Sequence, residues 1–204
     1  MPTRLVGILG GFGAGAMIAA VSFDLVPEAE VLESWEFAVW MVIGVAVFLL
    51  GDKIVERRFG TAGADGAMGI VVGSVVDGVP ESMILGIQVG AGATISLTFV
   101  VAVFISNLPQ AMAPSADLRA GGWGAHRLGF LWLVVVLACG AAALLGFVLT
   151  DISATAVGDR AAALAAGGIL AMLTNSLMPF SFERGGALAG AATAVGFCLS
   201  VVNS

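Results

Sequence analysis

The chain is short of charge and of the residues that carry most soluble chemistry. Of its 204 residues only 11% are charged, against 59% that are hydrophobic, and there is one histidine and two cysteines. A soluble domain of this length needs a charged surface, so the composition excludes an ordinary globular protein and reads as an integral membrane protein. Cys139 and Cys198 both fall in apolar runs, which excludes a disulfide framework or a paired-cysteine zinc motif. With 8 basic and 14 acidic residues the net charge is -6, which gives no basis for binding nucleic acid and favours cations as partners. Gly11, Gly13 and Gly15 lie inside an apolar run and do not link a strand to a helix, so they are not a dinucleotide loop, and no ATP-type phosphate loop is present. The expectation is that the protein is not an enzyme and holds no prosthetic group.

What the sequence has instead is apolar length. A bilayer core needs roughly 20 apolar residues as helix, and seven runs fit: 5 to 26, 36 to 51, 67 to 89, 92 to 113, 128 to 150, 161 to 180 and 186 to 202. Arg4 ahead of the first run could suggest a signal peptide, but the run is long enough to span and six more follow, so it is taken as the first span. The expected fold is a single all-α polytopic transmembrane bundle over residues 1 to 204. Placing the N-terminus in the cytoplasm puts Arg4, Lys53, Arg57, Arg58, Arg119, Arg127 and Arg184 on that side and only Arg160 on the other, as the positive-inside rule requires. The far side carries Glu28, Glu30, Glu33 and Glu36 near Asp24, which is either a solvated loop or a mouth that concentrates cations. Gly7, Gly11 and Gly15, four apart, are expected to let helices approach closely.

Within the third run, Asp77 and Glu81 stand four apart with Gly78 and Pro80 between them. On one helical face, the pair has Cβ atoms about 5 to 6 Å apart. An acidic residue at the centre of a spanning helix costs roughly 2.5–3.5 kcal/mol on insertion scales and is by default a functional candidate. Pro80 lacks an N–H and frees the carbonyl of Val76, and Gly78 lets the backbone bend toward a ligand. The fourth run repeats the pattern as Ser106-Asn107-Leu108-Pro109-Gln110. Weaker echoes are Asp24 with Pro27 and Glu28 in the first run, and Asn175 with Pro179 in the sixth. Repeated polar, proline-broken helices point to a site between repeats, although proline kinks and polar residues also serve as packing glue in membrane bundles.

These motifs resemble the ZIP (Zrt/Irt-like) family of divalent-metal transporters. The family's paired sequences read His-Asn-x-Pro-Glu-Gly and Gln/His-Asn/Asp-x-Pro-Glu-Gly, and here they stand as Asp77-Gly78-Val79-Pro80-Glu81-Ser82 and Ser106-Asn107-Leu108-Pro109-Gln110-Ala111. The likeness runs in order along nearly the whole chain, from GFGAGAMIAAVSFDLVPEA to the final span. The family's one further N-terminal helix has no counterpart in this sequence.

The departures are specific. Asp77 stands for the family's histidine, Gly78 for its asparagine and Gln110 for its second glutamate; its metal-bridging glutamate falls at or near Cys139, and its later acidic positions are Asn175 and Ser176. The resemblance therefore implies one ion site rather than two, with Asp77 and Glu81 as anionic ligands and Asn107, Gln110 and Ser106 as neutral ones. Asp24, Glu28, Cys139 and Asn175 become entrance or secondary positions. Oxygen ligands suit Mg, Mn or Ca and are accepted by zinc, while Cys139 would favour zinc or iron. His126 lies at a cytoplasmic boundary and is a weak candidate.

The expected function is divalent metal transport (Zn, Mn, Fe or similar) without ATP, in a bacterial or archaeal plasma membrane. Two alternatives stand beside it: a non-transporting relative that senses or binds metal or a partner, and a carrier of protons or small organic cations. Apart from the cation and the lipid bilayer, a second copy in a homodimer is the one partner left open.

Overall fold

Residues 3–59, 75, 78–79, 81–83, 85–90, 97–152 and 156–203 are described by a computed structural model. Asp77 and Pro80 lie outside these residues, as do the side chains of Glu28, Ser106, Pro109 and Gln110. Everything described is helix or short turn: α1 (Thr3–Ala20), a π-helical turn (Val21–Leu25), α2 (Val26–Glu28), α3 (Ser34–Phe59), α4 (Leu97–Ala120), α5 (Ala125–Ile152), α6 (Ala156–Met172), a second π turn (Leu173–Leu177), α7 (Met178–Gly185) and α8 (Ala187–Asn203). Helical turns also occupy the third run within 75–90.

Among the described residues four stretches are long and apolar enough to cross a membrane: Thr3–Leu25, Ser34–Ile54, Ala125–Val148 and Asp159–Gly185; Ala187–Val202 is apolar but shorter. The first and fourth are mostly buried within the bundle, whereas Ser34–Ile54 and Ala125–Val148 lie at its edge. Those two expose continuous apolar faces, among them Val42, Val47 and Leu50 on α3 and Val136, Leu137 and Leu144 on α5. A soluble protein does not leave such surface in water.

The glycines of α1 explain how its neighbours sit. Glycine is a poor helix former in water, but in lipid each backbone group must be satisfied within its own helix, and a missing side chain lets a partner backbone approach. A Cβ on Gly7 would fall on the backbone of Gly185, one on Gly11 on the carbonyl of Ala189, and one on Gly15 on the carbonyl of Thr193. The stripe expected from the four-residue spacing is thus the seam between α1 and the α7–α8 arm. Its contacts advance together along both chains, so α1 and α8 run parallel.

Two further pairs run parallel. Against α6, α3 places Glu36 beside Arg160, the Met41 carbonyl where a Cβ on Gly167 would be, and Asp52 within reach of Asn175. The third run meets α5 through Gly78 at Cys139, Gly86 at the Ala143 carbonyl and the Met83 carbonyl at Gly146.

Helix boundaries depart from the apolar runs where charge begins. The apolar run of α3 ends at Gly51, yet the helix continues to Phe59 through Asp52, Lys53 and Arg57, because Lys, Arg and Glu are good helix formers once the chain leaves lipid. Likewise α4 passes the expected end at 113 and reaches Ala120, and it runs unbroken through Pro109. Proline there removes one rung of the ladder without ending the helix, so as a helix-breaking position Pro109 is corrected. The chain leaves α4 at Gly122, whose φ of 89° suits a residue without Cβ. The Trp123 N–H then donates to Leu118 O at 3.0 Å and the Gly122 N–H to Arg119 O at 3.1 Å, closing the helix end.

Two other prolines do change the helix. Val21-Ser22-Phe23-Asp24-Leu25-Val26-Pro27 and Leu173-Thr174-Asn175-Ser176-Leu177-Met178-Pro179 match position for position in structure. In each, a five-residue π turn precedes the proline, closed by Val26 N–H to Val21 O and by Met178 N–H to Leu173 O. Ser22 Oγ and Thr174 Oγ1 each donate to the carbonyl four residues back at 2.8 Å. Leu25 and Leu177 are both fully buried in the central cluster with Met17, Ile169 and Met172. A proline ring clashes with the carbonyl four residues earlier, and widening that turn by one residue relieves it.

Candidate functional site

Four of the residues singled out in the sequence are drawn together where the third run, α4 and α5 meet. Glu81 is 2% exposed. The amide nitrogen of Asn107, 26 residues on in α4, donates to Glu81 Oε2 at 2.7 Å and also to Val103 O at 2.9 Å. Both amide protons are thereby engaged, and it is the amide nitrogen that faces Glu81. A carboxylate and an amide from neighbouring helices carry oxygens of the kind that hard or borderline cations accept.

Gly78 lies one turn from Glu81, and a Cβ there would sit 3.0 Å from Cys139 Sγ. The thiol of α5 therefore occupies the space that a larger side chain would need, and Cys139, half-buried and not disulfide-bonded, joins the neighbourhood of Glu81. The α4–α5 hairpin that carries Asn107 and Cys139 is pinned farther along by the Trp132 Nε1–H, which donates to Ser115 Oγ at 2.8 Å.

The secondary positions separate. Asn175 is exposed and donates to Asp52 Oδ2 at 3.1 Å, so its amide ties the second π turn to α3. Asp24 sits in the first π turn, at the end of α1 nearest the acidic loop. In the first turn of α3 Glu36 is held by Arg160, whose Nε and Nη2 donate to Oε1 at 3.0 and 2.6 Å, and just before that helix Glu33 accepts from the Trp35 Nε1–H at 2.6 Å. The basic residue that charge counting sets apart from the others, Arg160, is paired with one of these carboxylates. His126 is exposed in the first turn of α5.

Among the described residues no three His, Cys, Asp or Glu side chains lie close enough to hold a metal ion together. Asp77, the expected second anion, is outside the described residues, as are the side chains of Ser106 and Gln110.

Sequence reading passed over Gln88. It is 3% exposed, and its Oε1 is buried with no hydrogen-bond partner among the described residues. The signal was present, since seven residues after Glu81 is two helical turns on the same face.

No family model matches the chain, and no curated protein matches it.

Proposed function

We propose that this is a membrane transporter of divalent cations, with Glu81 and Asn107 on the path of the ion. The observation that carries the reading is a carboxylate buried among apolar helices and held by an amide from the neighbouring helix. Such a group is costly to keep in lipid, and a visiting cation gives it a use that packing does not. The ZIP-like motifs support the same reading, as do the breaks in helix geometry ahead of Pro27 and Pro179, since discontinuous helices often flank transporter sites.

The parallel helix pairs support a seven-span topology. Two helices that run the same way through a slab are joined by an odd number of crossings, and the third run, α4 and α5 supply three between α3 and α6. In this reading Asp77 supplies the second negative charge, Gln110 and Ser106 further oxygens, and the acidic loop a mouth on the extracytoplasmic side. Alternating exposure of the Glu81 site to the two faces moves the ion, with no ATP and no covalent chemistry.

One observation favours a second reading. The replacements that leave Gly78, Gln110 and Asn175 in the ZIP-like pattern suit a relative that binds or senses metal without moving it.

Calorimetric titration of the detergent-solubilised protein with Mn²⁺ or Zn²⁺ tests what both readings share. Saturable binding that weakens at least tenfold in Glu81→Gln is expected. Absence of binding at millimolar ion, or equal binding by the variant, overturns both. Flux into vesicles then separates transport from binding alone.

A further inference from the structure

The buried carbonyl oxygen of Gln88, which has no hydrogen-bond partner among the described residues, is the polar atom that the Glu81–Asn107 pair leaves unexplained. Gln88 lies seven residues beyond Glu81, about 10 Å along the axis, and Leu85 between them packs against the central cluster of α1 and α6. The stripe Glu81, Leu85, Gln88 therefore faces the bundle interior. A buried amide oxygen without a donor is destabilising, and an apolar side chain of the same volume would fill the place without that cost.

We propose that Gln88 Oε1 is a second stop for the cation, a neutral oxygen that replaces part of its water shell between the acidic loop and Glu81. This rests on the reading of Glu81 as a cation ligand. A lone acceptor aimed inward suits a partly hydrated divalent cation: the ion takes the oxygen directly while its remaining waters fill the other coordination positions. Charge neutrality suits a waypoint, because a second buried carboxylate would hold the ion too long, whereas conduction needs binding weak enough to release.

The test is anomalous scattering from crystals of the full chain equilibrated with Mn²⁺. The expected result is two peaks about 10 Å apart, one at Glu81 and a weaker one roughly 2.1–2.6 Å from Gln88 Oε1. Gln88→Met, which keeps volume and removes the oxygen, should lose only the second peak, and Gln88→Glu should strengthen it. A peak at Glu81 with none at Gln88, including ordered density there without anomalous signal, overturns the inference and leaves the reading of Glu81 standing. A peak at Gln88 alone removes Glu81 as the ligand and with it the path on which Gln88 would be a second stop, so it overturns both, as does no peak at either. Vesicle flux gives a second readout that does not depend on crystals of the variants: at subsaturating Mn²⁺, Gln88→Met should transport at least threefold more slowly than wild type. Unchanged flux together with a raised melting temperature overturns the inference.

Discussion

At the scale of single residues, Asn107 tests whether the buried carboxylate is built for a guest. It gives Glu81 a hydrogen bond at 2.7 Å, and hydrogen bonds to charged groups contribute roughly 1.5–3 kcal/mol. Asn107→Ala should therefore lower stability by about 1–3 kcal/mol, read as a lower melting temperature, and added Mn²⁺ should not restore it. Asn107→Asp removes the same donor but adds an anionic oxygen beside Glu81. That variant should also be destabilised without ions, because two carboxylates then face each other, and Mn²⁺ should raise its melting temperature by more than it raises that of wild type. Equal response of both variants to the ion would place the cation elsewhere. Gly78 carries a related lesson. A Cβ there would stand 3.0 Å from the Cys139 thiol, so a residue as large as the asparagine of the ZIP-like motif would compete with that sulfur for the space.

At the scale of helices, the seam between α1 and α8 depends on glycine at the point of closest approach. A Cβ on Gly15 would overlap the Thr193 carbonyl, and overpacking of this kind costs about 1–3 kcal/mol or more. Gly15→Val should lower the melting temperature markedly, whereas Gly140→Ala, where the added Cβ meets nothing within 4 Å, should be neutral or slightly stabilising. No loss in Gly15→Val, or a loss in Gly140→Ala as large as that in Gly15→Val, would contradict close approach as the reason for glycine in the seam. This seam was legible in the sequence because spacing of four on a helix fixes a face. So was the meeting of Glu81 with Asn107, since two short-connected polar helices must lie side by side. The π turns were not legible: proline announces a lost hydrogen bond, but whether the helix kinks, widens or simply continues depends on its neighbours. Pro27 and Pro179 are each preceded by a widened turn, while α4 continues through Pro109. Nor could spacing find the partners of Asn175 or Arg160, which lie 123 and 124 residues away in the chain.

At the scale of the whole molecule, the central claim about topology is odd parity. If three crossings separate α3 from α6 and five separate α1 from α8, then the two ends of the chain lie on opposite faces of the membrane. Reporter fusions or membrane-impermeant labelling of single cysteines should place residue 3 in the cytoplasm and residue 203 outside, and equal accessibility from one side would contradict seven spans. Arg160 paired with Glu36 then belongs to the extracytoplasmic face, where it trims the charge of the mouth without cancelling it. The charge rule saw this lone arginine as an exception, and the ion pair supplies its reason. What the sequence could not supply at this scale is which helices are central. All the runs are apolar, but only packing reveals that α1 and α6 are enclosed while α3 and α5 leave their apolar faces exposed.

The most direct test of the account is Mn²⁺ influx into liposomes that contain the purified protein, measured with and without Glu81→Gln. Wild type should admit the ion saturably and without ATP, and the variant should fall to the level of protein-free liposomes. Wild-type influx equal to that of empty liposomes, or a variant as active as wild type, would contradict it.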